Sequence, residues 1–598
     1  MAVRTHSAPS GGSVRSAARE WRLPAAPARV WALFSDLATL GEALGAPRMR
    51  PVKAPFDDSL ARLMESSGSD GRAAARWREK PCEWVQGLWW RTERAYAAGP
   101  FARTQAALHV QPDGEEGTRL VYSVEAEAMG VIGKAMLSAG YLDQAVSAFE
   151  KQVKAATAHL RDPSKPAFPP KQGVKPPPES KLSDLAAQLR AAQIPRAESE
   201  GFARFLLSAP ESAILPLRTQ ALAAALGVED DQALAFCLAA ARGGALDLAW
   251  RRICPACGVR AGRHAKLEDA LFAPPCPVCG SAESGTPDET VEPVFTPRLE
   301  GRPLTVGRFA AESPADSPHV AVRQCLAAGE RREFPALVPP GLYRLRDHFG
   351  RKGDPFAIAS GHPTPICVAS DDLPRCGRAA PDGSLVFENH SRNRLVLNLE
   401  RVDEGAATRL RPSALLMNHH FRRFWPGMRL GRASPARVEA AAALALRPTG
   451  PEVALDVEPL SELARLCKGA LTEAAEDGAL FVFADPADAL GAAIWLLDLA
   501  PDPESGRRPD VADLAVGLHM GPMQAEDGPE GGVIFRGDTI LRAAALCAMA
   551  RPGEAGVSAE LLTHPSAQTR LASVAAQADE GPVGPAREIQ PFWRLGAV

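Results

Sequence analysis

The chain has 598 residues, 46% of them hydrophobic, and a formal net charge of −3 at pH 7. This length indicates roughly three to five domains, and the near-neutral charge argues against a general electrostatic role on nucleic acids or membrane surfaces. Eleven cysteines in so long a chain do not indicate a disulfide scaffold. The N-terminus has no signal-peptide core, and no apolar run reaches about 18 residues. We therefore expect a cytoplasmic protein without a membrane span.

We expect disorder over residues 1–18 and a first domain over residues 19–160. The pattern of this domain is a strand, a turn containing proline, a helix, several antiparallel strands, and a long helix from about Met136 to Leu160. This order resembles the START-like, polyketide-cyclase-like helix-grip fold (SRPBCC). The resemblance implies a sheet that curls around the last helix and a cavity for a small hydrophobic ligand.

An aromatic cluster in this domain consists of Trp84, Trp89, Trp90 and Tyr96. These side chains have two interpretations: they line the ligand cavity, or they pack as core of the sheet or against a neighbouring domain, as aromatic residues commonly do. No pair of a nucleophile and a base accompanies them, so we predict no chemistry in this domain.

Residues 161–181 are rich in proline and predict an extended linker. Residues 182–250 then carry apolar residues at helical spacing, in short helices that resemble a small winged-helix-like bundle. Such a bundle binds DNA or serves as a docking or spacer module. The predicted helices mix acids with their arginines and form no basic stripe, which favours the second role and no specific nucleic-acid partner.

Four cysteines over residues 251–285 form the strongest metal signal. Cys254 and Cys257 lie in CPACG, Cys276 and Cys279 lie in CPVCG, and about eighteen residues separate the two pairs. This is the spacing of a zinc ribbon. Two such knuckles supply four thiolates to one tetrahedral Zn²⁺ ion and leave no position for a catalytic water, so the site is predicted to be structural.

Residues 286–405 predict an antiparallel β domain, with strands separated by turns such as PPG and PDG. Its strand GLYRLR carries Arg344 and Arg346, which would meet an anion or face solvent. Residues 406–432 predict a connecting amphipathic helix followed by a turn, and His419, His420, Arg422 and Arg423 form a solvated face of the helix.

The last predicted domain covers residues 433–598. Two apolar stretches, AVGLHMG and GGVIF, flank a turn-rich segment and predict a β-hairpin. GDT then supplies an N-cap, with Asp538 as the capping acid, for a helix from about Ile540 to Met549, followed by a short strand. The ordered string RGDTILRAAALCAMARPGEAGVS resembles the second half of a class III adenylate/guanylate cyclase domain, which implies a ferredoxin-like fold.

The resemblance also implies where the catalytic groups of the family would stand. The family uses two aspartates that hold two Mg²⁺ ions, and an Asn and an Arg that position the ribose and stabilise charge. One aspartate falls on Asp477. The other falls on Leu446 or Arg447, and no acid lies between Glu439 and Glu452. The Asn and Arg positions fall on Leu541 and Ala545. The resemblance therefore implies a degenerate site, with Mg²⁺ relevant only if the domain is active.

The complete order resembles a group of bacterial proteins that join a START-like domain and a zinc-ribbon domain of unknown function to a C-terminal adenylate/guanylate cyclase domain. An Ala-, Arg-, Gly- and Pro-rich composition is also typical of GC-rich bacterial genomes. We predict an α+β multi-domain signalling protein whose cyclase-like domain is a pseudoenzyme and forms homodimers or heterodimers. The alternatives are an active cyclase with an unconventional or partner-completed site, and a START-like carrier of lipids or small hydrophobic molecules.

Overall fold

The structure is a computed structural model. It describes residues 14–54, 60–66, 75–163, 165–169, 178–254, 259–272, 274–276, 285–299, 308–335, 338–359, 365–379, 384–402, 410–450, 455–497, 514–571, 574, 576–583 and 588–596. Within these ranges, no helix is both long enough and apolar enough to cross a bilayer.

The N-terminal part wraps antiparallel strands against a long helix. Its elements are β1 (Val14–Leu23), α1 (Pro27–Phe34), α2 (Leu37–Leu44), β2 (Met49–Pro51), β3 (Arg62–Ser66), β4 (Arg76–Glu79), β5 (Glu83–Val85), β6 (Trp89–Ala95), β7 (Phe101–Asp113), β8 (Gly117–Ala128), α3 (Gly130–Ser138) and α4 (Tyr141–Arg161). The long helix predicted from Met136 is divided in two at Gly140, whose φ of 82° is a left-handed conformation that glycine adopts readily. Phe149 of α4 is fully buried against Tyr122 of β8, with ring centroids 3.8 Å apart. The prediction of disorder is wrong for residues 14–18, because they begin β1 and pair with β8.

The next part is helical and ends in a small sheet. Its elements are α5 (Glu179–Ala191), α6 (Arg196–Ser208), α7 (Glu211–Ile214), α8 (Thr219–Leu226), α9 (Asp230–Arg242), β9 (Leu246–Ile253), β10 (Arg260–His264), α10 (Leu267–Leu271), α11 (Pro287–Thr290) and β11 (Val291–Pro297). Strand β9 lies between β10 and β11, and both pairings are antiparallel. The predicted helical segment is confirmed over α5–α9, whereas its last residues, 246–250, lie in strand β9 because they pair with β11.

The following part is composed of strands and is continuous with the N-terminal sheet. Its elements are β12 (Val320–Leu326), β13 (Arg331–Phe334), β14 (Gly341–Asp347), β15 (Phe356–Ile358), β16 (Pro365–Ala369), β17 (Arg375–Ala379), β18 (Leu385–Asn389) and β19 (Leu395–Arg401). Strand β12 pairs with β5 through Val322 and Val85, so one sheet runs from β1 to β15. A second sheet has the order β13-β18-β16-β17 and contains one parallel pair, β16 with β18.

The C-terminal part is a mixed sheet with helices on both faces. Its elements are α12 (Pro412–Leu416), α13 (His419–Phe424), β20 (Ala436–Pro448), α14 (Val457–Leu466), β21 (Ala470–Ala475), β22 (Gly478–Phe483), α15 (Pro486–Leu497), β23 (Leu514–Asp527), β24 (Val533–Arg536), α16 (Asp538–Met549), β25 (Ala555–Ser558), α17 (Ala559–Leu562), α18 (Pro565–Leu571), β26 (Ala576–Val583) and β27 (Glu588–Leu595). The strand order is β21-β22-β20-β23-β25-β27-β26, and β24 pairs with β23.

The connecting helix predicted over residues 406–432 is wrong in its length. Two short helices, α12 and α13, take its place, because the side chain of Asn418 accepts a hydrogen bond from the backbone N–H of Phe421 and starts a new helix there. Phe421 is buried, and Arg422 donates to the carbonyl of Val533 at 2.8 Å. Arg422 therefore binds strand β24, whereas the sequence predicts a solvated face.

The two faces of β20 belong to different cores. Leu444 and Leu446 join a cluster with residues of α14 and α15. The alternate residue Ala443 belongs to a second cluster that also contains Phe236 of α9 and Phe421 of α13. The helical part and the C-terminal sheet consequently share one hydrophobic core.

Candidate functional site

The hairpin of β21 and β22 places Asp477 at the edge of the C-terminal sheet. The two strands are antiparallel and end at a turn formed by Glu476 and Asp477, both of which are exposed. Leu446 pairs with Ala479 across β20 and β22, so the structure brings Leu446 close to this turn.

The strand that should supply the first metal ligand presents an aliphatic group and a cation. The side chain of Leu446 is 2% exposed and lies in an apolar cluster with Leu460 and Phe481. Arg447 donates from Nε to the carbonyl of Cys547 at 3.2 Å and from a terminal nitrogen to the carbonyl of Ala550 at 3.3 Å. These carbonyls lie at the C-terminal end of α16, where backbone oxygens lack helical partners and attract cations. Neither side chain can ligate a metal ion.

Helix α16 carries the other two candidate positions. Leu541 is 51% exposed, and Ala545 lies one turn further along the helix. The helix crosses β23 and β25 at two glycines: a Cβ added at Gly517 would lie 2.1 Å from the carbonyl oxygen of Ala543, and one at Gly556 would lie 2.7 Å from that of Leu546. Strand and helix thus pack closely, but the exposed part of the helix offers a Leu where the family resemblance requires an amide.

The start of α16 differs from the prediction. The N-cap residue is Gly537, with φ of 124°, and no side chain caps the helix. Asp538 is the first helical residue, where its carboxylate still interacts favourably with the helix dipole. Thr539 donates to the carbonyl of Pro522 at 2.7 Å and attaches this end of the helix to β23.

A polar cluster near this end was not predicted from the sequence. His519 of β23 is buried, and its Nδ1 atom lies 3.7 Å from a carboxylate oxygen of Glu560 on α17. Burial lowers the pKa of His519, although Glu560 acts in the opposite direction. The signal was a single histidine in the otherwise apolar stretch AVGLHMG, but its partner comes from a segment about forty residues away, which no local pattern reveals.

These positions do not assemble a metal centre among the residues that the structure describes. Within those residues, no three His, Cys, Asp or Glu side chains come together in a way that could hold a metal ion. Mg²⁺ keeps most of its water unless carboxylates and substrate phosphates both ligate it. Asp477 shares its exposed turn with Glu476, but in the described part of the chain no third His, Cys, Asp or Glu side chain joins these two acids.

The structure does not bring the four candidate aromatic residues into one site. Trp84 and Trp90 belong to the N-terminal core, and their indole nitrogens donate to the carbonyls of Val320 (2.8 Å) and Phe34 (3.0 Å), respectively. The other two lie elsewhere: Trp89 packs against the β-rich part, and Tyr96 packs in a small cluster with Met49, Met64 and Trp77. This distribution favours core packing, and the predicted ligand cavity stays a prediction.

Half of the predicted zinc site can be described. Cys254 and Cys276 are buried, whereas Cys257 and Cys279 lie outside the described residues. The backbone N–H of Cys254, just after β9, donates to the carbonyl of Val259, just before β10, at 2.9 Å. Two buried thiols are donors of the type that a zinc ribbon uses, and Zn²⁺ at these four cysteines stays a prediction.

The arginines of GLYRLR face acids in the structure. Arg344 lies 3.3 Å from Glu400 and Glu289, and Arg346 lies 2.6 Å from Glu400. The nearby arginines depress the pKa of Glu400, whose burial acts in the opposite direction. These arginines therefore belong to internal ion pairs, and strand β14 presents neither of them as a free anion site.

Comparisons with known proteins cover parts of the chain. A family model described as "Family of unknown function (DUF5939)" matches residues 180–325, and no curated protein matches. Among solved structures, the guanylate cyclase domain of RhGC from Catenaria anguillulae is 12% identical, covers 27% of this chain and 98% of its own, and has a TM-score of 0.22. The adenylyl cyclase CyaB from P. aeruginosa is also 12% identical, with coverages of 27% and 95% and a TM-score of 0.22.

A further similar structure belongs to a different class. The Zhui aromatase/cyclase from Streptomyces sp. R1128 is 10% identical, covers 25% of this chain and 98% of its own, and has a TM-score of 0.20. Structural neighbours of this chain thus include nucleotide cyclase domains over about a quarter of its length. At these values, the neighbours assign no residue roles here.

Proposed function

We propose that this protein is a cytoplasmic signalling or regulatory protein whose C-terminal part is a nucleotide-cyclase-like pseudoenzyme. The sequence string from Arg536 to Ser558 supports the relationship to class III cyclases. The main support for a loss of catalysis comes from the surroundings of the two residues at the first metal position. Leu446 is part of an apolar core, and the guanidinium of Arg447 is bound to two helix-terminal carbonyls.

The chemistry of a class III cyclase needs more charge than this site has. The ribose 3′-hydroxyl attacks the α-phosphate while two metal ions stabilise the attacking and leaving oxygens. Removing one preorganised group that stabilises the transition state costs about 10²–10³ in rate. Here one metal ligand and both groups on α16 are replaced, and each replacement is aliphatic or of the wrong charge. Turnover is therefore expected to fall below detection.

The proposed role is to transmit a signal between the parts of the chain. The input is a hydrophobic ligand or a partner at residues 19–160, and the output is an interaction of the cyclase-like part, including homodimers or heterodimers. Two contacts support coupling: β5 pairs with β12, and Phe236 of α9 shares a core with Phe421 and Ala443. Structural Zn²⁺ would hold the ribbon that follows α9 in the chain. Its ligands would be Cys254, Cys257, Cys276 and Cys279.

A turnover assay tests the proposal. The purified full-length chain is incubated with ATP or GTP and Mn²⁺, and cyclic nucleotide is quantified by mass spectrometry, with an active class III cyclase as positive control. The proposal predicts no product above the no-protein blank. The matched variants are Asp477→Ala and Glu476→Ala, two neighbouring exposed acids of the same turn. Product that is abolished by Asp477→Ala and retained by Glu476→Ala would show an active cyclase and contradict the proposal.

A further inference from the structure

Two cysteines face each other across the hairpin of β16 and β17. Cys367 and Cys376 are directly opposite each other in the antiparallel register, and their Sγ atoms are 2.8 Å apart. Both are free thiols in the structure. The sulfurs are within hydrogen-bonding distance, and no other side chain lies between them.

The geometry of the strands is suited to a covalent link. A disulfide needs Cα atoms roughly 4.4–6.8 Å apart with converging Cβ atoms, and directly opposite residues in an antiparallel pair have Cα atoms about 4.5–5.5 Å apart. The sulfurs would have to approach by about 0.8 Å to reach the bond length of about 2.05 Å. Rotation of the two side chains supplies this movement without a change of register.

The two thiols differ in their access to solvent. Cys367 is completely buried in a core with Phe387 and Leu385, whereas Cys376 is only partly buried and follows the exposed Arg375. Burial raises the pKa of the Cys367 thiol well above its usual value, with a smaller contribution from the adjacent Cys376. An oxidant from solvent therefore reacts with Cys376 first, and the protonated thiol of Cys367 lies next to it.

We propose that Cys367 and Cys376 are a redox modification site that forms a reversible cross-strand disulfide in the presence of a hydroperoxide. In the first step, the sulfur of Cys376 attacks hydrogen peroxide, the O–O bond breaks, and a sulfenic acid and water result. In the second step, the sulfur of Cys367 attacks that of Cys376. The S–S bond forms, the S–O bond breaks, and the departing hydroxide takes the thiol proton of Cys367 to give a second water. A dithiol reductant reverses the change by thiol–disulfide exchange.

The link would act on an edge strand. Within the described residues, β17 pairs only with β16. The segment before it is attached to the loop between β14 and β15, since Arg351 donates to the carbonyl of Asp372 at 2.6 Å and the carbonyl of Pro374 packs against Gly353. The disulfide would link the strands on either side of residues 370–374, which are already attached to that loop. Amide hydrogen exchange over residues 370–379 is therefore expected to become slower.

Peptide mapping of the full chain tests the proposal. The protein is treated with a few equivalents of hydrogen peroxide, alkylated and digested with trypsin, which cleaves after Lys352, Arg375 and Arg378 and places the two cysteines on peptides 353–375 and 376–378. We expect these peptides to become disulfide-linked, with the mass of two hydrogens lost, and to separate again after treatment with dithiothreitol. Hydrogen exchange over residues 370–379 should slow in the oxidised sample.

Two variants make the result specific. Cys376→Ser should give no linked peptide and should keep Cys367 alkylatable only after unfolding, while Cys467→Ser, at another part-exposed cysteine, should leave the link unchanged. Cys376→Ala repeats the first test if serine disturbs folding. Three outcomes would overturn the proposal: over-oxidation of Cys376 with Cys367 still free, a link from Cys367 to a different cysteine, or two free thiols after exposed cysteines elsewhere have been oxidised.

Discussion

Restoring the missing carboxylate at position 446 should damage the fold instead of creating activity. In Leu446→Asp, the protein loses a buried leucine next to Leu460 and Phe481, which is worth about 2–3 kcal/mol. The new carboxyl group has no partner in that cluster, so its folded-state pKa must rise by about three units, at about 1.4 kcal/mol per unit near neutral pH. The sum of about 6 kcal/mol approaches the whole stability of a typical domain.

The assay is thermal unfolding of the full chain, followed by hydrogen exchange in β20 and β22 to locate the effect. For a unit of about 150–250 residues, a loss of 6 kcal/mol lowers the transition temperature by about 12–24 °C. Because the folded-state pKa of the new group is raised, the destabilisation should be largest above pH 7 and should shrink as the pH falls towards 4. The matched control is Leu446→Met, which should cost less than about 1.5 kcal/mol. A Leu446→Asp protein with wild-type stability and Mn²⁺-dependent cyclic product would refute the reasoning.

Three further predictions concern individual side chains. Arg447→Met should destabilise the protein by about 1–3 kcal/mol, because two helix-terminal carbonyls lose their donor. Amide hydrogen exchange at the C-terminal end of α16 should become faster, and wild-type exchange rates would contradict this role. Burial, and then the neighbouring Asp485, raise the pKa of Asp488 to about 6, so folding favours its protonated form. Asp488→Asn should therefore stabilise the protein by about 1–2 kcal/mol at pH 8 and by almost nothing at pH 4. An equal effect at both pH values in thermal unfolding would argue against this prediction. Trp90→Phe removes the indole donor to Phe34 and should cost about 1–2 kcal/mol in denaturant unfolding, whereas Trp89→Phe should change stability less, and equal losses would contradict the packing described above.

The C-terminal hairpin and helix could be predicted from the sequence because their signals are local. The alternating apolar residues of β23 and the turn residues that precede β24 lie within one short segment, and both strands form as expected. The helix boundaries were also close, although the N-cap shifted to Gly537. At this position the chain needs a positive φ, and the sequence pattern alone favoured the side chain of Asp538 as the cap.

The connections between distant segments could not be predicted. Nothing in the two segments indicates that Val85 would pair with Val322, because pairing between strands more than two hundred residues apart depends on the whole fold. The opposed pair Cys367 and Cys376 was missed for a related reason, since the register of a hairpin depends on its turn. Likewise, only the structure shows that Arg447 is bound to carbonyls of α16, which gives this arginine a structural role in place of a catalytic one.

The most direct test of the account is the number of Mn²⁺ ions that bind to the C-terminal part together with a nucleotide. Free Mn²⁺ is measured by electron paramagnetic resonance while the full chain is titrated in the presence of a non-cyclisable ATP or GTP analogue. If the metal site has been lost, there is no saturable Mn²⁺ binding that depends on Asp477. Saturable binding of Mn²⁺ that disappears in Asp477→Ala and persists in Glu476→Ala would contradict the claim that this protein has lost the metal site of a cyclase.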